Sequence, residues 1–427
     1  MPEQSLIPQE IQAQLGEIGA CDIVVGVPSL NNAATIADVV EALLQGLHDS
    51  FPSARGLIVN TDGGSKDDTP EAVLGVAAPS NSVLQIPYRL QPVHKLAAPG
   101  AGVPGKASAL RLTFQVAQMA GARACAIVDA GLRSVTPEWI GALASPVLHQ
   151  NSDFVVPCFA RHRFEGTITS AIIYPLTRSL YGKRLRHRPG EEFCCSARFV
   201  EHCLAQDIWE SDLARAGIDS WLTAQALSSG FRTAQTWLGP RILDAREPAS
   251  DLSGILTQVL GSTFTEMDRN ARAWQRVRGS EPVPTFGQPL QLDDEPATLD
   301  LDEMIASYRL GYRNLFELWG LVLPPAALVE LKRLAARAGR DFRFPDDVWV
   351  HIIYDFAVAW HQRTINRDHL LRALTPLYLG WVASFILELQ PAEPSRVESR
   401  IEEICLRFEA EKPYLISRWR WPDRFNP

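Results

Sequence analysis

Between Asp22 and Asp244, short runs of β-branched residues alternate with segments of helical period, and no other feature constrains the fold as tightly. Asp22–Val27 (DIVVGV) reads as a strand closed by Pro28, and Asn31–Leu47 then carries Ile36, Val39, Val40, Leu43, Leu44 and Leu47 on one helical stripe. Gly56–Asn60 predicts a second strand and Thr69–Val76 a helix. Lys106–Met119 predicts another helix, and Ala124–Val128 a strand that ends on Asp129. Apolar strands without inside-outside alternation, separated by amphipathic helices, imply an α/β fold with a mostly parallel sheet covered on both faces.

Past this region the pattern changes. Residues 279–297 (GSEPVPTFGQPLQLDDEPA) are rich in proline, glycine and acid and read as an exposed connection. From Leu299 onward the period is helical: Met304–Trp319, Pro325–Ala338, Val348–Gln362, His369–Leu389 and Arg396–Phe408. The expected organisation is an α/β domain over 1–250 followed by an all-α domain over 251–427. The aromatic stripe Tyr308, Tyr312, Phe316 and Trp319 is expected to pack in the helical core.

Composition excludes several classes. Of 427 residues, 46% are hydrophobic and 21% charged, which disfavours disorder as the dominant state. A net charge of −8 without a basic tail argues against general nucleic-acid binding. The seven cysteines form no CxxC pair and are expected to be reduced, buried thiols of a cytoplasmic protein. The opening MPEQSLIPQEIQAQ is polar and acidic, so a secretory leader is not expected there. Ala373–Leu387, the most apolar uncharged stretch, falls short of the roughly 18–20 residues a membrane span needs. Neither a Gly-x-Ser-x-Gly elbow nor an HExxH pair occurs, leaving hydrolase classes unsupported.

Ligands of open α/β sheets bind beyond the carboxyl ends of the strands, which singles out four loops. The first follows Val27. The second, Asp62-Gly63-Gly64-Ser65-Lys66-Asp67-Asp68-Thr69, joins a strand to a helix. Its first acid is placed for a base or ribose, while Asp67 and Asp68 suit helix capping. The third, Gly100–Gly105, fits GxGxxG in the wrong context for a dinucleotide. Ala107 stands where a phosphate loop needs a hydroxyl, so what remains is Lys106 at a helix start, a place for a diphosphate. The fourth presents Asp129, where a carboxylate can hold a hard divalent cation.

Taken in order, these loops resemble the nucleotide-sugar glycosyltransferases of the GT-A fold, and more closely the retaining synthases of glucosyl-3-phosphoglycerate, glucosylglycerate or mannosylglycerate. The resemblance is carried by Pro28-Ser29-Leu30-Asn31-Asn32 with Thr35, Asp62-Gly63-Gly64-Ser65, Pro104-Gly105-Lys106-Ala107-Ser108-Ala109-Leu110 and Asp129-Ala130-Gly131-Leu132 with Pro137-Glu138-Trp139-Ile140. It continues in Arg188-Pro189-Gly190-Glu191-Glu192, Gly217-Ile218-Asp219 and the helical region. It implies a Rossmann-like GT-A domain, a hexose (glucose foremost) carried on UDP or GDP, and glycerate or 3-phosphoglycerate as acceptor. The product would be a glucosylglycerate-type compatible solute or its precursor.

Residue by residue, the resemblance implies that Pro28, Ser29, Leu30, Asn32, Asp62 and Gly63 hold the nucleoside and that Lys106 reaches the diphosphate. Asp129 would begin the metal motif, Asp219 and Glu192 would flank the sugar and its anomeric carbon, and Arg161 and Thr169 would take the acceptor carboxylate. Two departures stand out. Gly131 replaces the second acid of the D-x-D motif, and Asp244 stands at the position assigned to the metal-binding histidine. The expectation is a retained but altered Mg2+ or Mn2+ site built on Asp129 and Asp244. The alternative is a catalytically silent nucleotide-sugar-binding protein acting through its helical domain. A homodimer formed through the helical third completes the expectations.

Overall fold

The computed structural model describes residues 7–77, 82–88, 105–187, 190, 192–209, 211, 217–244, 251–290, 300–337, 339–393 and 395–421. Its strands in chain order are β1 (Ile23–Ser29), β2 (Gly56–Asp62), β3 (Val83–Pro87), β4 (Ala124–Ile127), β5 (Phe154–Ala160), β6 (Lys183–Arg184), β7 (Phe193–Ser196), β8 (Thr233–Pro240), β9 (Glu281–Pro282) and β10 (Thr285–Phe286). The chain divides into two compact units and passes between them five times. One holds Met1–Ala160, Leu185–Ala249 and Val283–Gln291. The other holds Arg161–Arg184, Ser250–Pro282 and Leu292–Pro427.

The first unit is an α/β layer structure with a mostly parallel, Rossmann-like sheet in the order β10-β8-β5-β7-β4-β1-β2-β3. All its pairings are parallel except those of β7, which runs antiparallel to both β4 and β5. Every residue of β1 is buried, so a continuous β-branched run with no polar face is the sequence it requires. Ile23, Val25 and Val27 share one core with Ile36, Val39, Val40 and Leu43 of the helix Ile36–Ser50 and with Trp139, Ile140 and Leu143 of the helix Glu138–His149. Gly26 lies on the opposite face of β1, where an added Cβ would stand 2.6 Å from Thr113 of the helix Lys106–Met119. Gly46 permits a still closer approach, since a Cβ there would meet the Pro137 carbonyl oxygen at 2.0 Å.

Among its described residues the second unit is helical apart from the β6–β9 pair. Its helices from residue 301 onward are Leu301–Gly320, Pro325–Ala336, Asp346–Gln362, Arg367–Arg372, Thr375–Leu389, Ser395–Ala410 and Lys412–Arg420. Tyr308 and Trp319 of the aromatic stripe are fully buried, while Phe316 is exposed. The single helix expected over His369–Leu389 is broken at Ala373-Leu374. Pro376 lacks the amide proton that a continuous helix would donate to Arg372 O, so a new helix starts at Thr375 with the proline in its first turn. The Ala373 carbonyl accepts the Trp319 indole N–H at 3.0 Å instead. Arg367–Leu389 is long and apolar enough to cross a membrane, yet 72% of its apolar 18-residue window is buried in the structure, as befits a core segment.

Arg178 fixes the segment Arg161–Arg184 in the helical unit. Its fully buried guanidinium donates to Glu402 at 2.5 and 2.8 Å and to Glu409 at 2.6 Å. All seven cysteines are free and buried, and burial pushes the thiols of Cys194, Cys195 and Cys203 well above their ordinary range.

Candidate functional site

The carboxyl edge of the sheet in the first unit gathers most of the expected residues. Asp62 ends β2 and accepts four hydrogen bonds from its surroundings: Gly64 N–H and Ser65 N–H at 2.9 Å each, Ser65 Oγ at 2.6 Å and Ser29 Oγ at 3.1 Å. An ionised carboxylate has about four acceptor positions. In this structure Asp62 therefore organises its own loop, and a nucleoside hydroxyl would have to replace one of these serine hydroxyls. Its charge, after burial itself, raises the Tyr88 hydroxyl pKa, and Tyr88 Oη lies where a Cβ on Gly63 would come within 3.1 Å of it.

The loop after β1 is stitched to its neighbours. Gly63 N–H donates to Ser29 O, and Leu30 N–H donates to Asn32 Oδ1, both at 2.9 Å. Asn31 takes a left-handed conformation (φ 54°) and exchanges hydrogen bonds with Ser65 Oγ and Lys66 N–H, while Thr35 Oγ1 donates to Ala130 O at 2.7 Å. Asp67 serves as the expected cap, accepting from Thr69 N–H, Thr69 Oγ1 and Ala33 N–H. Burial works to raise its pKa, and these hydrogen bonds outweigh it, leaving Asp67 below the ordinary carboxylate range. Pro28 lies within β1, beside Thr61 of β2.

Charge concentrates beyond β4, β7 and β8. Lys106 opens the helix Lys106–Met119 behind Gly105, which sits at φ 76°. The Lys106 ammonium is buried and donates to Asp219 Oδ1 at 2.6 Å and to Gly190 O at 2.8 Å. Asp219 lies in the first turn of the helix Ile218–Ser228. Residues 100–104 of the glycine loop, and Arg188, Pro189 and Glu191, lie outside the described residues.

The antiparallel direction of β7 has a direct result. Its amino end, preceded by Glu192, reaches the edge where the parallel strands end. The loops that follow β4 and β8 meet there through an antiparallel bridge, Leu132 to Leu243. Arg133 N–H donates to Ile242 O at 2.9 Å and Asp244 N–H to Gly131 O at 2.8 Å on either side of it. This zipper sets Arg241 between two acids. Its Nε donates to both oxygens of Glu192 (2.9 and 3.1 Å), and its Nη2 donates to Glu192 Oε1 at 2.8 Å and to Asp129 Oδ2 at 3.3 Å. Glu192 is 1% exposed and Asp129 7%. Asp129 Oδ1 also accepts Gly131 N–H at 2.8 Å.

Sequence reasoning missed Arg241. The only signal was a basic residue directly after a strand, in the GPRILDA segment from which Asp244 was chosen.

The two expected metal ligands thus stand on adjoining loops, each facing a guanidinium: Asp129 faces Arg241, and Asp244 Oδ1 accepts from Arg133 Nε and Nη2 at 2.8 and 2.6 Å. No group of three or more His, Cys, Asp or Glu suited to a metal occurs among the described residues. Mg2+ commonly takes only one or two protein carboxylates and completes its shell with phosphate and water. The residues therefore fit a cation that arrives with a diphosphate, and they do not form a closed cage. Charge balance points the same way. Asp129, Glu192 and Asp219 against Lys106 and Arg241 leave one net negative charge, an unfavourable setting for a diphosphate until a further cation joins it.

Arg161 and Thr169 belong to the second unit. Arg161 is exposed and its guanidinium lies against Gly166, where an added Cβ would be 2.8 Å from Nη1. Thr169 opens the one-turn π-helix Thr169–Ile173, a form frequent at functional positions.

No protein-family model matches this chain, and no curated protein sequence matches it. Solved structures of glucosyl-3-phosphoglycerate synthase from Mycobacterium tuberculosis do resemble it. The complex with Mn2+, UDP and phosphoglyceric acid is 19% identical, with a TM-score of 0.42 over 62% of this chain and 84% of that one. The complex with Mg2+ and UDP is 18% identical, with a TM-score of 0.41 over 60% and 82%. The complex with Mn2+ and UDP-glucose is 21% identical, with a TM-score of 0.37 over 60% and 82%.

Proposed function

We propose that this chain is a retaining glycosyltransferase that moves a hexose, glucose foremost, from a nucleoside-diphosphate sugar to a hydroxyl of glycerate or 3-phosphoglycerate. The observation that carries the reading is the charged cluster of Lys106, Asp129, Glu192, Asp219 and Arg241. It stands at the carboxyl edge of a mostly parallel sheet, on the same edge as the Ser29 and Asp62 loops that end β1 and β2. In this reading Pro28, Ser29, Leu30, Asn32, Asp62 and Gly63 line the nucleoside. Lys106 turns from Asp219 towards the diphosphate, and Asp219 then addresses the sugar hydroxyls.

The cofactor in this reading is Mg2+ or Mn2+, held by Asp129 and Asp244 together with diphosphate oxygens. When bound, it supplies positive charge against the negative charge that develops on the leaving group. Both oxygens of Glu192 accept from Arg241, which fixes a negative charge beside the anomeric centre and leaves Glu192 poorly presented as a base. This supports attack on the face that the diphosphate vacates. The bond from the anomeric carbon to the diphosphate breaks, the bond to the acceptor oxygen forms, and the hydroxyl proton passes to the departing phosphate oxygen. Arg161 and Thr169 take the acceptor carboxylate, for which an exposed guanidinium offers bidentate geometry.

The test is a matrix of UDP- and GDP-hexoses against glycerate and 3-phosphoglycerate, read by product mass and anomeric configuration. An α-configured hexosyl glycerate from an α-linked donor is expected. Nucleotide binding without transfer in any combination would favour the silent reading, for which Gly131 in place of a second acid speaks. Failure to bind either nucleotide would reject both.

A further inference from the structure

The segment KPYLISRWRW (412–421) forms the helix Lys412–Arg420 and ends on Trp421 directly behind it. Helical spacing brings Lys412, Ile416 and Arg420 onto one face, one turn apart. That face lines a cavity of about 330 Å³, closed on other sides by Glu409 and the stretch Val277–Gly279. Every lining residue belongs to the helical unit, and the nucleotide-sugar reading uses none of them. The volume lies at the lower end of the roughly 300–1,000 Å³ usual for small-molecule sites.

Charge around this cavity is lopsided. Lys412 is 5% exposed, and its ammonium donates to Ser179 O at 2.6 Å, Val277 O at 3.0 Å and Leu180 O at 3.3 Å. These carbonyls occupy its three protons, and none of them carries a negative charge. Burial, and after it the Arg278 charge, lowers the Lys412 pKa to about 8. Glu409, the acid in the lining, accepts from Arg178 Nε and Ser280 Oγ at 2.6 Å each, and Arg178 is shared with Glu402. Arg178, Arg278, Lys412 and Arg420 against Glu402 and Glu409 therefore leave two positive charges, in a chain of net charge −8. Arg278 spends one nitrogen on the carbonyls of Gln275 and Val277, and Arg420 spends Nε on Gln275 Oε1, so each guanidinium keeps further N–H groups for an acceptor. Beside them the Trp421 indole is 68% exposed, without a ring partner among the described residues.

From this arrangement we propose that the cavity binds a small phosphomonoester carrying a flat apolar ring, with its phosphate on Arg278 and Arg420 and its ring against Ile416 and Trp421. Guanidinium groups hold phosphate oxygens in bidentate fashion, and the buried charge of Lys412 adds to their attraction. A phosphomonoester carries close to two negative charges at neutral pH and matches the excess, whereas a carboxylate offers one. An indole with a free face gains from an apolar ring laid against it. The site is independent of the nucleotide-sugar reading and stands or falls without it.

The experiment titrates the full chain calorimetrically with phenyl phosphate, inorganic phosphate, benzoate and benzyl alcohol. Phenyl phosphate is expected to bind with a Kd on the order of 1 mM or tighter. Inorganic phosphate and benzoate should each bind several-fold more weakly, and benzyl alcohol should give no saturable heat. Arg278→Gln with Arg420→Gln is expected to weaken phenyl phosphate about tenfold or more. Both side chains are exposed, so this double variant should melt near wild type. Trp421→Ala should weaken phenyl phosphate several-fold and leave inorganic phosphate unchanged. No saturable binding of phenyl phosphate, or binding that the double arginine variant leaves intact, would overturn the proposal. Benzoate binding as tightly as phenyl phosphate would reject the phosphate, and unchanged affinity in Trp421→Ala would reject the ring.

Discussion

Replacing Lys106 by methionine separates two roles that the structure joins. The ammonium is buried, with its side chain 9% exposed, and its partner Asp219 is 25% exposed at 2.6 Å. Unit charges about 4 Å apart at an effective dielectric near 20 attract by about 4 kcal/mol. Breaking such a buried pair from one side costs about 3–5 kcal/mol, because the remaining charge stays behind unpaired. Asp219 keeps some water, which places the expected loss near the lower end, about 3 kcal/mol. For a unit of this size that lowers Tm by about 6–12 °C.

If Lys106 also carries the diphosphate, removing a charge-assisted hydrogen bond costs a further 1.5–3 kcal/mol or so of binding, roughly 10- to 150-fold in the Kd for UDP. Lys106→Met with Asp219→Asn leaves no unpaired carboxylate and should recover part of the stability while UDP affinity stays low. Asp219→Asn alone should keep or raise UDP affinity and lower transfer. Thermal unfolding and calorimetric titration on the same samples read both quantities. A Lys106→Met protein that is destabilised yet binds UDP like wild type would refute the diphosphate role and reduce Lys106 to a strut for Asp219.

Three further outcomes follow from buried groups. In the helical unit, burial raises the Glu266 pKa to about 7, so its contribution is fully present below pH 4.5 and is lost as pH rises through about 7. Glu266→Gln should raise Tm at pH 8, by an amount worth up to about 3 kcal/mol, and converge with wild type near pH 4.5; parallel melting curves would exclude this. Asp153 is buried, and against that burial it is held below the ordinary carboxylate range by Arg232 N–H, Arg198 and Ser196, so the stability it confers is lost as pH falls. Asp153→Asn should cost about 1–3 kcal/mol in urea unfolding at pH 7, and less in acid. Gly46→Ala drives a methyl into the Pro137 carbonyl and should cost at least about 1–3 kcal/mol in the same assay; a neutral result would mean the two helices separate freely.

Much of the architecture could be read directly from the chain. The Lys106–Met119 helix carries its own boundaries, Gly105 before it and the glycine-bearing turn after it, and it begins and ends where the apolar period does. The runs at β1, β2 and β4 are buried on both faces, which leaves a pattern only a covered sheet produces. The helix break at Ala373-Leu374 was masked by an unbroken apolar stripe, although Pro376 carried the signal. The site was half visible. Lys106 and Asp129 stand at element ends and can be picked by position, whereas Asp219 and Glu192 came only with the family resemblance. Arg241 could be found by neither, because its value depends on β7 running antiparallel, and a four-residue buried strand (FCCS) gives no sign of its direction.

The zipper between the β4 and β8 loops also bears on how the charged centre comes to be complete. Arg241 meets Asp129 across 112 residues and Glu192 across 49, and Lys106 meets Asp219 across 113. Contacts so distant in sequence close late, after the loop entropy between them has been overcome. A chain emerging from the ribosome holds Asp129 and Glu192 before their shared cation has been made. Until β8 docks, those acids lack the partner that burial requires, and partial sheets gain no stability from enclosing them. The charged centre is therefore complete only once β4, β7 and β8 have come together in the sheet.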